Sequence, residues 1–198
     1  YDLLEKIVAT GYADGMFVKY QTNMTVLEFE KIKLTKFIPE FELFEFTISL
    51  DGMGKWNDYI RRRSSWENIS ENIDTVLKYP NVRVNINGTI SFLSVLRFYK
   101  LIEWFEQNDD RLEQVNWSNI RGPAKLCANV LPEKIKQKLI PLYSNFPDIV
   151  NVLKQDSGGL DYQDTLKYLL MIDNHYRGTK WEMELFDVFP ELEEFYNE

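Results

Sequence analysis

The stretch from Val82 to Phe92, Val-Arg-Val-Asn-Ile-Asn-Gly-Thr-Ile-Ser-Phe, alternates between apolar and polar side chains over its whole length. This period of two is typical of a β-strand with one apolar and one polar face. Gly88 lies on the apolar face, among valine, isoleucine and phenylalanine. The polar face consists of Arg83, Asn85, Asn87, Thr89 and Ser91. Because unpaired buried polar groups are costly, that face must meet water, a ligand or another polar surface.

Other segments upstream and downstream have related patterns. Residues 41–50 alternate in the same way and predict a second strand, whose polar face carries Glu45, Thr47 and Ser49. A weaker strand is predicted at residues 16–22, a fourth at 115–119, and a further extended piece near 126–130. Helices are predicted between and after the strands. They cover residues 2–10, 29–37, 66–77 (after a capping box at 64–67), 94–107, 132–142 and 161–176.

Strands and helices alternate about 30–40 residues apart, which is the spacing of βαβ units in a parallel sheet. The sequence therefore predicts an α/β fold with about four parallel strands and crossover helices. Residues 1–130 are assigned to a partial (β/α) barrel with a polar interior, and residues 131–198 to a helical C-terminal region that ends in an acidic, aromatic tail. An antiparallel sheet with one solvated face would give the same alternation and remains the alternative.

Composition narrows the class of protein. The chain has 198 residues and a net charge of -8, which disfavours general nucleic-acid binding. Its single cysteine, Cys127, excludes an internal disulfide or a cysteine-only metal site and is expected to be a small buried side chain. No apolar run approaches the about 20 residues of a membrane span, and no signal sequence opens the chain, so a cytoplasmic protein without membrane partners is expected. The helical pattern starting right after Tyr1 predicts a fragment or processed product.

Polar side chains collect where the predicted strands end. In βα folds these carboxyl ends form the ligand site. The four ends are Thr22-Asn23, Ser49-Leu50-Asp51-Gly52, Thr89-Ile90-Ser91 and Asn116-Trp117. They suit a polar small molecule but contain no nucleophile–base pair, so no catalytic residue is predicted. Asp51 is either a pocket residue or a turn-former, and the run Arg61-Arg62-Arg63 either clamps a carboxylate or phosphate or forms a solvated loop.

Several motifs follow one another in a recognisable order. Thr22-Asn23 precedes Ser49-Leu50-Asp51-Gly52, which is followed by Tyr59-Ile60-Arg61, a helix led by Trp66, and Val84-Asn85. Leu131-Pro132, Asp173 before Tyr176-Arg177-Gly178, and residues 188–192 come later. This order resembles the later strands of radical S-adenosylmethionine (SAM) enzymes, most closely the subgroup with a short twitch auxiliary region. The resemblance covers most of the chain.

The resemblance implies roles for particular residues. Ser49 would contact the ribose or amino-acid part of SAM, and Asn116 would lie near the adenine or the substrate. The implied cofactor-binding set is Thr22, Asn23, Ser49, Asp51, Asn85 and Asn116, and the implied substrate-binding residues are Arg61 and Thr89. A full-length parent would use SAM and a 4Fe-4S cluster to start radical chemistry on an unidentified small-molecule or peptide substrate.

The sequence also departs from the family pattern. Met24 and Arg63 stand where many relatives have glycine, and Ser94 replaces a common asparagine. The cluster-binding C-x-x-x-C-x-x-C loop and a Gly-Gly-Glu segment are expected upstream of Tyr1. This chain alone is therefore expected to bind no iron and to be catalytically inert. Two alternatives stay open: a non-catalytic binding or scaffold protein that retains a half-barrel, and an unrelated βα-barrel protein that binds a sugar or phosphate ester.

Overall fold

The computed structural model describes residues 1–108 and 111–196 and contains a parallel β-sheet with helices around it. The strands are β1 (Phe17–Thr22), β2 (Glu28–Phe29), β3 (Ile32–Lys33), β4 (Leu43–Ser49), β5 (Val82–Ile90) and β6 (Leu112–Asn119). The α-helices are α1 (Asp2–Ala9), α2 (Gly54–Ile60), α3 (Trp66–Val76), α4 (Phe98–Glu106), α5 (Glu133–Leu139), α6 (Pro147–Lys154), α7 (Tyr162–Tyr176) and α8 (Leu185–Val188).

The main sheet has the strand order β1-β4-β5-β6, and all three of its strand pairs are parallel. Helices α2 and α3 form the crossover between β4 and β5, and α4 forms the crossover between β5 and β6. The predicted α/β class and parallel sheet are confirmed, and the antiparallel alternative is wrong. Strands β2 and β3 pair only with each other, in a small antiparallel hairpin.

The apolar faces of the central strands form the core. Phe44, Phe46 and Ile48 of β4 are fully buried, as are the valines and the isoleucine at 82, 84 and 86 of β5. They belong to one buried cluster with Ile69, Ile73 and Val76 of α3 and the inner face of α4. Burying each such side chain contributes about 1.5–3 kcal/mol. The sheet is therefore anchored on this side.

Gly88 sets how closely α4 approaches the sheet. A Cβ added there would lie 2.3 Å from Cε2 of Phe98 and 2.8 Å from the carbonyl oxygen of Leu50. Both distances are shorter than any side chain tolerates, so this position accepts only glycine. The glycine in the middle of a strand pattern thus marks close packing of a ring on the backbone.

The start of α3 differs from the predicted capping box. The N-cap is Ser65, whose side chain accepts a hydrogen bond from the Asn68 backbone N–H, rather than Ser64 paired with Glu67. The Trp66 N–H donates to Oδ1 of Asp58 at 2.7 Å. A carboxylate from α2 therefore takes the place of the predicted glutamate in satisfying the first turn.

Two predicted elements are wrong. Residues 29–37 form the β2–β3 hairpin and a 3-10 turn instead of a helix, because Glu30 and Lys31 adopt left-handed φ angles of 48° and 69° at the hairpin turn. The extended piece predicted at 126–130 consists of 3-10 turns at Ala124–Leu126 and Ala128–Val130. Helices α2 and α6 are additional elements that the sequence patterns did not reveal.

The acidic, aromatic C-terminal tail packs its apolar side chains onto the fold. Its buried apolar side chains are Leu185, Val188, Phe189, Leu192 and Phe195. Glu191 lies 2.6 Å from Arg97 in a largely shielded ion pair, whereas Glu193 and Glu194 are exposed. Across residues 1–108 and 111–196, none of the helices combines the length and the apolar character that crossing a bilayer needs.

Candidate functional site

A cavity of about 720 Å³ lies at the carboxyl ends of the four parallel strands. Each strand contributes a residue at or just after its end: Asn23 follows β1, Asp51 follows β4, Thr89 lies near the end of β5, and Ile120 follows β6. A parallel sheet brings these ends to one edge, where side chains no longer pack in the core and can contact a ligand. The cavity therefore lies where the strand order predicted a ligand site.

Aliphatic side chains form a large part of the cavity wall. The lining side chains of this kind are Ile60, Ile69, Leu93, Ile120, Leu126, Leu169 and Ile172. Leu169 and Ile172 come from α7, which also contributes Tyr176. A ligand that fits this cavity has an apolar body and meets polar groups at the strand ends and in the α2–α3 loop, which contributes Arg61, Arg63 and Ser64.

Asp51 fastens the strand ends together. Its Oδ1 accepts a hydrogen bond from the Thr89 backbone N–H at 2.7 Å, and its Oδ2 lies 2.8 Å from Nε of Arg61. Its own N–H donates to Oδ1 of Asn57. The carboxylate is nearly buried, with 9% of the side chain exposed, so the pairing takes place in a shielded environment. Asp51 thus both lines the cavity and fixes the loop after β4.

Arg62 is buried beneath the cavity wall. Its guanidinium lies 2.6 Å from Oδ1 of Asp173 and donates to the carbonyl oxygens of Trp181 and Met183. It also stacks over the ring of Tyr59, 4.1 Å from the centroid. Only 6% of its side chain is exposed, so the reading of the arginine run as a solvated loop is wrong at this position.

Tyr59 and Asp173 complete this cluster. The Tyr59 hydroxyl donates to Oδ1 of Asp173 at 2.8 Å, and Oδ2 of Asp173 accepts from the Leu185 N–H at 2.7 Å. Burial, and secondarily the Asp173 carboxylate, raise the pKa of Tyr59 far above its ordinary value. We call Tyr59, Arg62 and Asp173 the clamp, because they connect α2 and its following loop to α7 and the segment before α8.

Arg63 differs from its two neighbours. Its side chain is exposed and lines the cavity, and it makes neither a hydrogen bond nor an ion pair with the residues that the structure describes. Its φ angle is 73°, in the left-handed region that favours glycine. Met24 shares this feature, with φ 59°, although its side chain is fully buried.

Four of the eight predicted ligand-binding residues line the cavity, namely Asn23, Asp51, Arg61 and Thr89. The Asn23 side chain is turned toward its own loop, where Oδ1 accepts from the N–H and the hydroxyl of Thr25. Both residues nevertheless lie in the wall. The structure therefore brings together one predicted residue from each of the first three strand ends and one from the α2–α3 loop.

The other four predicted residues lie outside the cavity wall. Thr22 caps its own loop through Oγ1, which accepts from the Met24 N–H, and Ser49 is half-buried at the end of β4. Asn85 is buried further back in β5, and Asn116 is exposed on β6, which forms one edge of the sheet. Most of the strand-end groups that line the cavity therefore follow the last residue of their strand, and Thr89, the next-to-last residue of β5, is the exception.

Sequence reasoning missed the contribution of α7. Leu169, Ile172 and Tyr176 recur at helical spacing, which places them on one face, and that face closes the cavity. The spacing could have indicated a buried stripe, although not the surface that it covers. Thr25 and Ser64 were also missed; both are small polar residues in loops next to predicted site residues.

The side chains that the structure describes offer no metal site. Over residues 1–108 and 111–196, no three or more His, Cys, Asp or Glu side chains come together in a group that could hold an ion. Cys127 is half-buried, and its thiol contacts the Ile120 carbonyl oxygen at 3.4 Å. A 4Fe-4S cluster needs several thiolates, so the residues of this chain do not fit one.

Comparisons with known protein families, with curated proteins and with solved structures find no match to this chain. Its function is therefore inferred from the site itself.

Proposed function

We propose that this chain forms the later part of a radical SAM enzyme barrel, and that its cavity holds SAM beside an organic substrate. The order β1-β4-β5-β6, with helical crossovers and polar groups at the carboxyl ends, supports an arc of such a barrel. Asp51 of the Ser49-Leu50-Asp51-Gly52 motif lines the cavity and pairs with Arg61, which supports the proposal.

The observation that carries this proposal is the backbone at Met24 and Arg63. These are two positions where the resembled enzymes have glycine, and both adopt left-handed φ angles, of 59° and 73°. Such angles cost an L residue about 1–2 kcal/mol and cost glycine almost nothing. Both loops thus have the backbone conformation that glycine favours, although each has a larger residue at that position.

The residues of this chain would bind and orient the nucleoside, while the radical chemistry would come from SAM at a reduced cluster. Leu93, Ile120 and Leu126, near the ends of β5 and β6, offer an apolar surface for the adenine. Asn23 and Thr89 would hold polar groups of the ribose or the amino-acid part. The cluster ligands would come from a segment or a partner that carries C-x-x-x-C-x-x-C.

S-adenosylhomocysteine tests the proposal, because it has the nucleoside and amino-acid groups of SAM and is chemically inert. Titrated into ¹⁵N-labelled chain, it should shift the amide signals of Asn23, Asp51 and Thr89. Asn23→Ala should weaken binding, whereas Asn119→Ala, an equally exposed asparagine outside the cavity wall, should not. Unchanged spectra, or shifts confined to residues away from the cavity, would rule the proposal out.

The single cysteine favours a second candidate, a binding or scaffold protein that retains the half-barrel without redox chemistry. The two candidates differ in whether a cluster-binding loop has to be encoded with this chain. The first requires the C-x-x-x-C-x-x-C loop in the same reading frame or in a partner chain. Anaerobic reconstitution of that assembly, followed by reduction, should then release 5′-deoxyadenosine from SAM. Binding of S-adenosylhomocysteine without any such loop would support the second candidate.

A further inference from the structure

The cavity wall has the opposite charge to the molecule. Among the described residues that line it, the charged ones are the three arginines 61–63 and Asp51, whereas the whole chain has a net charge of -8. A positively charged pocket in an acidic protein attracts anions locally while the rest of the surface repels them. A ligand group placed beside these arginines is therefore expected to be anionic.

Two of the three arginines already have partners. Arg61 lies 2.8 Å from Asp51, and the buried Arg62 lies 2.6 Å from Asp173. Neither guanidinium can turn to a ligand without leaving a nearly buried carboxylate unpaired. Arg63 is exposed, contacts no acidic residue of the described chain and lines the same cavity. It is therefore the cation that is free to bind a ligand.

The backbone at Arg63 gives an independent reason to expect a role for its side chain. At φ 73° a glycine would be favoured, so the arginine costs the protein conformational free energy. No hydrogen bond or ion pair of its side chain with the described residues offsets that cost. Strain of this kind clusters at ligand-binding and active sites, where it holds a side chain in place.

We propose that Arg63 forms an anion subsite, and that the molecule bound beside it joins a carboxylate or phosphate to an apolar body. The guanidinium presents two parallel N–H groups to either oxyanion. Ser64 and Thr25 lie in the same wall, but their hydroxyls already donate to the Arg61 carbonyl oxygen and to Oδ1 of Asn23, so the charge of Arg63 carries the subsite. The aliphatic side chains, including Ile69 from α3, accept the apolar body. That this molecule is the substrate rests on the proposed function; the subsite itself does not.

Three small probes that share a benzyl or phenyl body separate charge from shape. Phenylacetate and phenyl phosphate are anionic, and phenylacetamide is the neutral counterpart of phenylacetate. Each is titrated into the ¹⁵N-labelled chain without S-adenosylhomocysteine. At least one anion should bind about tenfold or more tightly than the amide, since a hydrogen bond to a charged group supplies such a difference. The better anion identifies the carboxylate or the phosphate as the preferred group.

Substitutions of single arginines show which residue causes the preference for the anion over the amide. Arg63→Gln should abolish the difference between anion and amide, whereas Arg83→Gln, at the opposite end of β5, should keep it. Arg63→Gly should lose the preference as well, while its melting temperature stays at or above that of the parent chain. Equal binding of anions and amide, or an anion preference that survives Arg63→Gln, would overturn the subsite. Because no SAM analogue is present, neither result depends on SAM binding.

Discussion

Replacing Asp173 with alanine should destabilise the protein far more than an ordinary carboxylate substitution. The change leaves the Arg62 guanidinium, with 6% of its side chain exposed, without its counter-charge, and removes the acceptor of the Tyr59 hydroxyl and the Leu185 N–H. Breaking a buried ion pair in this way costs about 3–5 kcal/mol. For a chain of this size each kcal/mol lowers the melting temperature by about 2–4 °C, so a fall of roughly 6–20 °C is expected.

Thermal and urea unfolding, followed by circular dichroism, measure this effect. The matched control is Asp164→Ala on the same helix, because Asp164 is 71% exposed and, among the described residues, its side chain pairs only with the exposed Lys167. That control should cost less than about 1 kcal/mol. The double variant Arg62→Met/Asp173→Leu should recover part of the loss, since apolar residues can replace a buried pair, while the Tyr59 hydroxyl and the Leu185 N–H stay without their acceptor. If Asp173→Ala and Asp164→Ala unfold within 1 °C of each other, the clamp does not stabilise the fold.

Three further predictions concern single positions. Gly88→Ala should cost at least about 2 kcal/mol, because its Cβ would meet a backbone oxygen at 2.8 Å, whereas Gly15→Ala, with open space around it, should cost under 1 kcal/mol in urea unfolding. Burial raises the pKa of Tyr143, so the stability that its neutral hydroxyl contributes is present below pH about 10 and is lost as the pH rises further. Above that pH, the free energy of unfolding of Tyr143→Phe should fall less steeply with pH than that of the parent chain. Arg63→Gly should stabilise the chain by about 1 kcal/mol, while Met24→Gly, which deletes a fully buried side chain, should destabilise it, as melting temperatures will show.

The sequence revealed the central sheet because its strands alternate strictly. A period of two that places Phe44, Phe46 and Ile48 on one side admits only one buried face. Long predicted helices between the strands then favoured parallel pairing over the antiparallel alternative. Since strand ends and ligand sites coincide in such sheets, Asn23, Asp51 and Thr89 could be located before the structure.

Contacts between distant residues could not be predicted. Arg62 is buried because Asp173, 111 residues further along the chain, lies beside it, and no local pattern of three arginines indicates that partner. The hairpin turn at Glu30 and Lys31 is equally hidden, since neither residue is a typical turn-former at positive φ. Local helix propensity therefore favoured the wrong element there.

The three consecutive arginines have identical side chains, but the backbone places each of them in different surroundings. Helix α2 ends at Ile60, and the chain then leaves the helical path, with φ -107° and ψ 67° at Arg61. The Arg61 guanidinium contacts Asp51 at the strand ends, and the Arg62 guanidinium belongs to the clamp. Arg63, with φ 73°, lies beside the cavity. A ligand therefore meets fewer positive charges than the three arginines suggest, because Arg61 and Arg62 are paired and Arg63 has no partner among the described residues. Arg63→Gly keeps the shape of the loop and leaves two arginines in it, yet it should remove the preference of the cavity for anionic over neutral ligands.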